Sequence, residues 1–227
     1  MIRITCAIFV LLSILAACSD STTQLSAPSV PTVTPFVPAP TLASATPAVS
    51  PSPELPATPT PGKDVFAQMG ITLPAPGEAC TGLTQPQTQG PYYKPDTPQK
   101  NSFFEEGMPG TRLILVGYVL DQNCQPLPNA WLDFWQADAN GEYDNAGYRL
   151  RGHQFTDAQG RYYLETILPG LYSSRPIEHI HVKVRPGGGE EITSQLYFPQ
   201  QAVEGLTVTI EDKGDYQIGY FNFVVQK

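Results

Sequence analysis

Short segments rich in β-branched and aromatic residues, separated by turn sequences, recur between residues 112 and 225 and constrain the fold more than any other feature. Residues in such segments alternate between two faces, and the Asp, Asn, Gly and Pro between them suit tight turns. No segment has a sustained helical stripe, although residues 64–70 are compatible with a turn or two of helix. We therefore predict an all-β fold, a β-sandwich of about seven or more strands. The candidate strands are 112–121, 129–138, 161–168, 179–186, 192–198, 205–212 and 217–225.

The first residues are typical of an export signal. Arg3 precedes an apolar run that is too short to span a bilayer stably, and the run ends in Leu15-Ala16-Ala17-Cys18, a sequence typical of a bacterial lipobox. We expect residues 1–17 to be a lipoprotein signal peptide and Cys18 to be acylated. The protein would then be exported and anchored by lipid at the outer face of a bacterial membrane. The alternative is an ordinary signal peptide, cut near the same place, with Cys18 not acylated.

Residues 18–62 consist mainly of Pro, Thr, Ser and Ala and carry little charge. Such a composition cannot bury enough apolar surface to offset the entropy lost on ordering, and its prolines favour extended conformations. We predict a lipidated tether over residues 18–62. One folded domain over residues 63–227 follows it, with enough length to bury a sizeable core.

Two of the four cysteines, Cys80 and Cys124, fall within the predicted domain. In the oxidising environment outside the cytoplasm they favour a disulfide, and two unpaired thiols are the alternative. The formal net charge of -8 argues against nucleic acid as a partner, because phosphate contacts need clustered Lys and Arg. We expect contact with a membrane through the lipid anchor only.

Two of the three histidines form the sequence His179-Ile180-His181 at the start of a predicted strand. Because successive strand residues point to opposite faces, His179 and His181 project together while Ile180 faces the core. The two imidazoles could chelate a metal ion or simply belong to a solvated strand face. The spacing by itself favours the solvated face.

Six short motifs give the histidine pair a context, because together and in order they are more specific than any one of them. They are Gln89–Tyr93, Gly141–Tyr143, Thr156–Tyr162, Pro169–Tyr172, His179–His181 and Ser194–Phe198. In this order the motifs resemble the intradiol ring-cleavage dioxygenases, nearest to the protocatechuate type. The resemblance covers about residues 80–200, which is most of the predicted domain.

The resemblance implies a non-haem Fe(III) site with Tyr143, Tyr172, His179 and His181 as ligands. These residue types suit the ion, because Fe(III) is hard and highly charged and stabilises the anionic oxygen of a phenolate. The set differs from the two-histidine, one-carboxylate arrangement that binds ferrous iron.

The implied reaction opens a catechol-type ring between its two hydroxyl-bearing carbons with O2 and gives a muconate-type diacid. By the same resemblance, the substrate displaces Tyr172, while Arg175 and Gln195 stabilise the developing charge. Thr88, Pro91 and Tyr92 would line the substrate pocket. The spacing between Arg175 and His179 is one residue longer than in the usual family pattern, and the additional residue is Glu178. The identity of the catechol and the oligomeric state stay open.

Two other hypotheses assign the chain a different function. Residues 117–134 and 156–172 also resemble transthyretin-like modules, which are binding or structural domains at cell surfaces that hold no metal and lack the His-x-His strand. The tyrosines would then be packing residues. Alternatively, His153, His179 and His181 would form a three-histidine zinc site, which leaves the tyrosine motifs unexplained.

Three further residues receive structural assignments from the sequence. We place His153, which lies in the sequence Arg151-Gly152-His153-Gln154, in a loop or at the pocket rim, because the family that the chain resembles has no ligand at this position. Trp131 and Trp135 fall on one face of a predicted strand and are assigned to the core.

Overall fold

The predicted all-β fold is confirmed by a computed structural model, which describes residues 64–78, 80–172 and 175–227. The predicted signal peptide (1–17), the acylated Cys18 and the tether (18–62) lie outside the described residues. Within the described part of the chain, no helix is long and apolar enough to cross a membrane.

Nine strands, one short α-helix and one 3-10 turn make up the described structure. The strands are β1 Arg112–Asp121, β2 Trp131–Gln136, β3 Arg151–Phe155, β4 Arg161–Ile167, β5 His179–Arg185, β6 Ile192–Tyr197, β7 Thr209–Asp212, β8 Gln217–Tyr220 and β9 Phe223–Val225. The helix α1 is Val65–Gln68, and the 3-10 turn is Pro199–Gln201.

The strands form two sheets. The first has the order β4-β1-β8-β7, and β9 also pairs with β1. The second has the order β3-β2-β5-β6, and all of its pairs are antiparallel. Strand β1 pairs in parallel with both β8 and β9.

The core lies between the facing sides of the two sheets. Leu132 and Phe134 of β2 and Ile180 and Val182 of β5 are fully buried in one cluster with Leu115 of β1. Burying such side chains stabilises the fold by about 1.5–3 kcal/mol each. The opposite side of β1 is also buried, because α1 and the residues after it cover it. This explains why β1 reads as a continuous apolar run instead of an alternating one.

The sequence missed strand β3 and joined two strands that are separate. Arg151–Phe155 is polar and short, and it becomes a strand by pairing with β2. The placement of His153 in a loop was therefore wrong. The predicted strand 217–225 is interrupted after β8, where the Asn222 side chain accepts a hydrogen bond from the Tyr118 amide (2.8 Å) in place of a backbone carbonyl.

Residues 85–100, here called the covering segment, cross the outer face of the second sheet. The Gln87 amide donates to the Thr193 carbonyl of β6, at one edge of the sheet. The Lys100 amide donates to the His153 carbonyl of β3, at the opposite edge. Between these points, Tyr93 and Thr97 donate to the buried carboxylate of Asp133 on β2. The outer face of this sheet is thus an enclosed polar layer.

The predicted disulfide between Cys80 and Cys124 is present. It joins the chain just before the covering segment to the turn that follows β1. Because Thr84 then pairs with Val224, the start of the covering segment is fixed at two successive points.

Replacing both cysteines by serine should lower the free energy of unfolding by about 4 kcal/mol, since the bond closes a long loop in the unfolded chain. Its sequence separation is 44 residues. Urea unfolding of the wild type and of Cys80→Ser/Cys124→Ser measures the difference. Wild-type protein in reductant is the control and should behave like the variant. Equal unfolding midpoints under oxidising conditions would contradict this assignment.

Candidate metal centre

The four side chains expected to bind metal lie together at one end of the second sheet. Their rings form a closed circuit of neighbours, with centroid separations of 5.8 Å for Tyr143–Tyr172, 5.9 Å for Tyr172–His179, 4.7 Å for His179–His181 and 6.4 Å for Tyr143–His181. The two histidines begin β5, whereas the tyrosines follow β2 and β4. Residues far apart in sequence therefore share one small region.

The two imidazoles face each other with their Nε2 atoms 3.1 Å apart. The Nδ1 atom of His179 lies 2.7 Å from the Ile177 carbonyl oxygen, which can only accept, so Nδ1 carries the proton and Nε2 has a free lone pair. Two imidazole nitrogens bound at about 2.1 Å and at about a right angle to one ion lie about 3 Å apart. The observed separation fits a shared metal ion.

Burial keeps both imidazoles neutral. Desolvation lowers the pKa of His179 to about 4 and that of His181 to about 2, and the neighbouring Arg175 cation acts in the same direction on both. A neutral imidazole is the form that binds a metal ion.

The Tyr143 hydroxyl is buried and, among the described residues, has no hydrogen-bond partner. Burial is the main cause that raises the pKa of this phenol above its ordinary value. An unpaired buried hydroxyl costs about 1–3 kcal/mol, and a metal ion bound to the oxygen would remove that penalty. The unpaired oxygen therefore fits a metal ligand.

Two glycines bring into contact the loops that carry Tyr143 and Tyr172, here called the tyrosine loops. A Cβ atom on Gly141 would lie 2.1 Å from the Leu171 carbonyl oxygen, and one on Gly170 would lie 2.3 Å from the Ala139 carbonyl oxygen. Only glycine fits such close backbone approaches. The Gly-x-Tyr and Pro-Gly-x-Tyr motifs thus have a physical origin, because each glycine lets one tyrosine loop pack against the other.

A hydrogen-bond network joins Arg175 to Gln195 despite the additional residue Glu178. The Arg175 guanidinium donates to Gln195 Oε1 (2.6 Å) and to the Tyr197 hydroxyl (3.1 Å), which itself donates to Gln195 Oε1 (2.9 Å). The Gln195 amide donates to the Thr88 carbonyl (2.6 Å). The orientation of the buried amide is therefore fixed from both ends. No role was predicted for Tyr197 from the sequence, although it lies within the motif Ser194–Phe198.

The covering segment supplies the three residues expected to line a substrate pocket. Tyr92 stacks on Tyr143 with centroids 4.3 Å apart and an interplanar angle of 13°. Pro91 and Thr88 are exposed on the same segment. A Cβ atom on Gly90 would lie 3.8 Å from His181 Nε2, so this segment borders the imidazole of His181.

Trp135 supports His181 and does not belong to the core between the sheets. Its register partner across the sheet is His181, and the two rings stack with centroids 4.8 Å apart and an interplanar angle of 5°. It is buried under the covering segment, on the outer face. Trp131, on the same face, is half-buried beneath the Arg185 side chain, so its assignment to the core was wrong.

His153 does not join the other two histidines. Its Nδ1 atom donates to the Thr97 carbonyl (2.7 Å) and so holds the covering segment to β3. Across the described ranges, no group of three or more His, Cys, Asp or Glu side chains could hold a metal ion. The three-histidine zinc hypothesis is therefore wrong.

A family model described as Dioxygenase matches residues 88–207. The solved dioxygenase domain of a dioxygenase–carbohydrate-binding fusion from Streptomyces sp. SirexAA-E is 42% identical, with a TM-score of 0.61 over 63% of this chain and 98% of that chain. The structure of 3-chlorocatechol 1,2-dioxygenase from Rhodococcus opacus 1CP is 29% identical, with a TM-score of 0.59 over 66% of this chain and 75% of that chain.

The chain is also similar in sequence to curated dioxygenases, over shorter parts of its length. The protocatechuate 3,4-dioxygenase beta chain of Burkholderia cepacia is 33% identical over 40% of this chain and 46% of the relative. Catechol 1,2-dioxygenase of Acinetobacter guillouiae is 29% identical over 51% of this chain and 47% of the relative. The chain thus spans about half the length of these curated relatives.

The lowered pKa values predict a pH dependence of stability for the metal-free protein. Above pH 6.5, histidines are neutral in both the folded and the unfolded state, and the full stability is present. As the pH falls from 6.5 towards the folded-state values, about 4 for His179 and about 2 for His181, only the unfolded chain takes up protons. The free energy of unfolding should therefore fall.

Urea unfolding between pH 7 and pH 4.5 measures this effect against the variant His179→Gln/His181→Gln. The carboxylates contribute equally to both proteins, so the wild type should lose about 5 kcal/mol more than the variant, about half of it from each histidine. Identical pH slopes would contradict the burial of neutral imidazoles.

Proposed function

The chain belongs to the intradiol dioxygenase family, and on this basis we propose that it is a non-haem Fe(III) enzyme that cleaves catechol-type rings. Cleavage occurs between the two hydroxyl-bearing carbons, consumes O2 and gives a muconate-type diacid. The proposed iron ligands are Tyr143, Tyr172, His179 and His181.

One observation carries the proposal: the four rings form a closed circuit around two facing imidazole nitrogens and an unpaired, buried phenol oxygen. Two phenol oxygens and two imidazoles suit ferric iron, whereas the ferrous oxygenase site needs a carboxylate. A transthyretin-like module remains the alternative, but it gives no reason for burying neutral histidines beside an unpaired hydroxyl.

The two tyrosines have different surroundings and, we infer, different roles. A bound ferric ion would act as a Lewis acid and as a template for the two catechol oxygens. Tyr143 is held between Tyr92 and the tyrosine loops, so it stays in place. Tyr172 is half-buried and follows Leu171, a residue with 50% of its surface exposed. It is therefore free to move aside, and its phenol oxygen then holds a proton taken from a substrate hydroxyl.

Arg175 and Gln195 provide the polar groups beside the substrate. The Arg175 guanidinium brings positive charge to this wall of the site, and Gln195 is locked by Tyr197 and Thr88. Such preorganised groups stabilise negative charge as it develops on a substrate oxygen. Thr88, Pro91 and Tyr92 are proposed to orient the ring from the solvent side.

We also propose that the enzyme is exported and anchored by an acylated Cys18, with residues 18–62 as a tether. The sequence Leu15–Cys18 supports the anchor. The Cys80–Cys124 disulfide supports export, because such bonds persist in oxidising compartments and are rare in the cytosol.

Iron loading tests the proposed chemistry. The Fe(III) protein should show a broad visible phenolate-to-iron absorption band and should consume O2 when catechol is added. Tyr143→Phe should weaken the band and lower the rate of O2 uptake on the order of 100-fold, because a ligand is lost. Tyr216→Phe, at a half-buried tyrosine that packs in the cluster beneath α1, is the control and should behave as wild type. A colourless, inactive wild-type protein under iron-replete conditions would refute the proposal.

Expression of the whole chain in a bacterium tests the anchor. Wild-type protein should partition into the detergent phase and incorporate labelled fatty acid, whereas Cys18→Ser should do neither, because the acylated thiol is removed. Unlabelled wild-type protein in the aqueous phase would exclude the anchor.

A further inference from the structure

Arg151 is an unusual residue, because its side chain is fully buried at the start of β3. Among the described residues, no carboxylate forms an ion pair with it, and its Nη2 atom has no hydrogen-bond partner. Burying a cation without a paired carboxylate costs several kcal/mol, and the charges of Asp144 and Asp133 act on Arg151 only from beyond ion-pair distance. No role was predicted for Arg151 from the sequence, and the roles proposed above do not use it.

The hydrogen bonds of Arg151 join the two chain segments that hold Tyr143. Its Nε atom donates to the carbonyl of Asp144, the residue after Tyr143 (3.1 Å). Its Nη1 atom donates to the carbonyl of Tyr92, whose ring stacks on Tyr143 (2.5 Å). One rigid side chain therefore fixes the position of both stacked rings.

The charge of Arg151 lies on the same side as the candidate metal ligands. The guanidinium carbon is 5.8 Å from the centroid of the Tyr143 ring. In the sheet, Trp135 pairs with Arg151 on one side and with His181 on the other. An unpaired buried cation and an unpaired buried hydroxyl thus lie near each other. A metal-bound tyrosine carries a negative oxygen, and its proximity would offset the cost of burying the cation.

We propose that Arg151 is a positioning residue of the iron site: it holds the Tyr92–Tyr143 stack and supplies the buried positive charge beside the metal-bound Tyr143 oxygen. This inference rests on the proposed function. It differs from the role of Arg175, which contacts the Gln195 wall of the site.

The experiment compares three variants of the whole protein. Arg151→Met removes both the charge and the donors, Arg151→Lys keeps the charge without the two-carbonyl bridge, and Arg149→Met removes a neighbouring arginine whose side chain is 44% exposed. Each is measured for the wavelength of the visible band, the rate of iron release to a chelator, and the thermal unfolding of the metal-free protein.

Arg151→Met should release iron about 10–100-fold faster than wild type, as expected for loss of a group that orients a ligand. Its band should move to longer wavelength, because the phenolate loses a nearby positive charge. Arg151→Lys should release iron faster but keep its band near that of wild type. Arg149→Met should match wild type in both measurements.

A purely structural role gives a different result. Arg151→Met would then unfold at a lower temperature, while its folded form would keep the wild-type band and release rate, and the inference would be overturned. If Arg151→Met does not fold, Arg151→Lys decides, and a wild-type release rate in that variant overturns the inference. A wild type without iron or a band refutes the proposed function instead, so the two failures are distinguishable.

Discussion

The antiparallel pairing of β5 with β2 and β6 is the constraint on which the candidate site depends. It fixes His179 and His181 on the outer face of the sheet with their Nε2 atoms 3.1 Å apart, while Ile180 and Val182 anchor the same strand in the core. One face of β5 therefore carries the histidine pair, and its other face packs in the core. The interior that stabilises the fold also sets the distance between the two nitrogens.

The outer face becomes a site because other parts of the chain cover it. The covering segment, tied at its start by the disulfide, brings Tyr92 onto Tyr143 and encloses Trp135 behind His181. The glycine-rich tyrosine loops pack against each other at the strand ends. The result is an enclosure of neutral imidazoles and an unpaired phenol oxygen, which is costly for a metal-free protein and favourable once a cation binds the oxygen. We expect the metal-free protein to be less stable for this reason.

The sequence predicted the parts of the molecule that follow from local pattern. Segments rich in β-branched and aromatic residues, bounded by turn sequences, predicted seven strands, and the spacing of two in the His-x-His sequence placed both imidazoles on one face. The tyrosine ligands came only from the ordered motifs, because a strand-end tyrosine has no local pattern of its own. Strand β3 depends on its pairing with β2, and the burial of Trp135 and Arg151 depends on covering by residues 85–100. Because these partners are distant in sequence, no local pattern indicates them. The fold and the family are confirmed, and the roles of individual site residues stay predictions.

Anomalous diffraction at the iron edge from crystals of the Fe(III)-loaded protein tests the central claim most directly. We predict one iron peak bonded to the phenol oxygens of Tyr143 and Tyr172 and the Nε2 atoms of His179 and His181, at about 2.0–2.3 Å. A peak held by other side chains, or one bonded to the histidines with the Tyr143 oxygen more than about 4 Å away, would contradict the account.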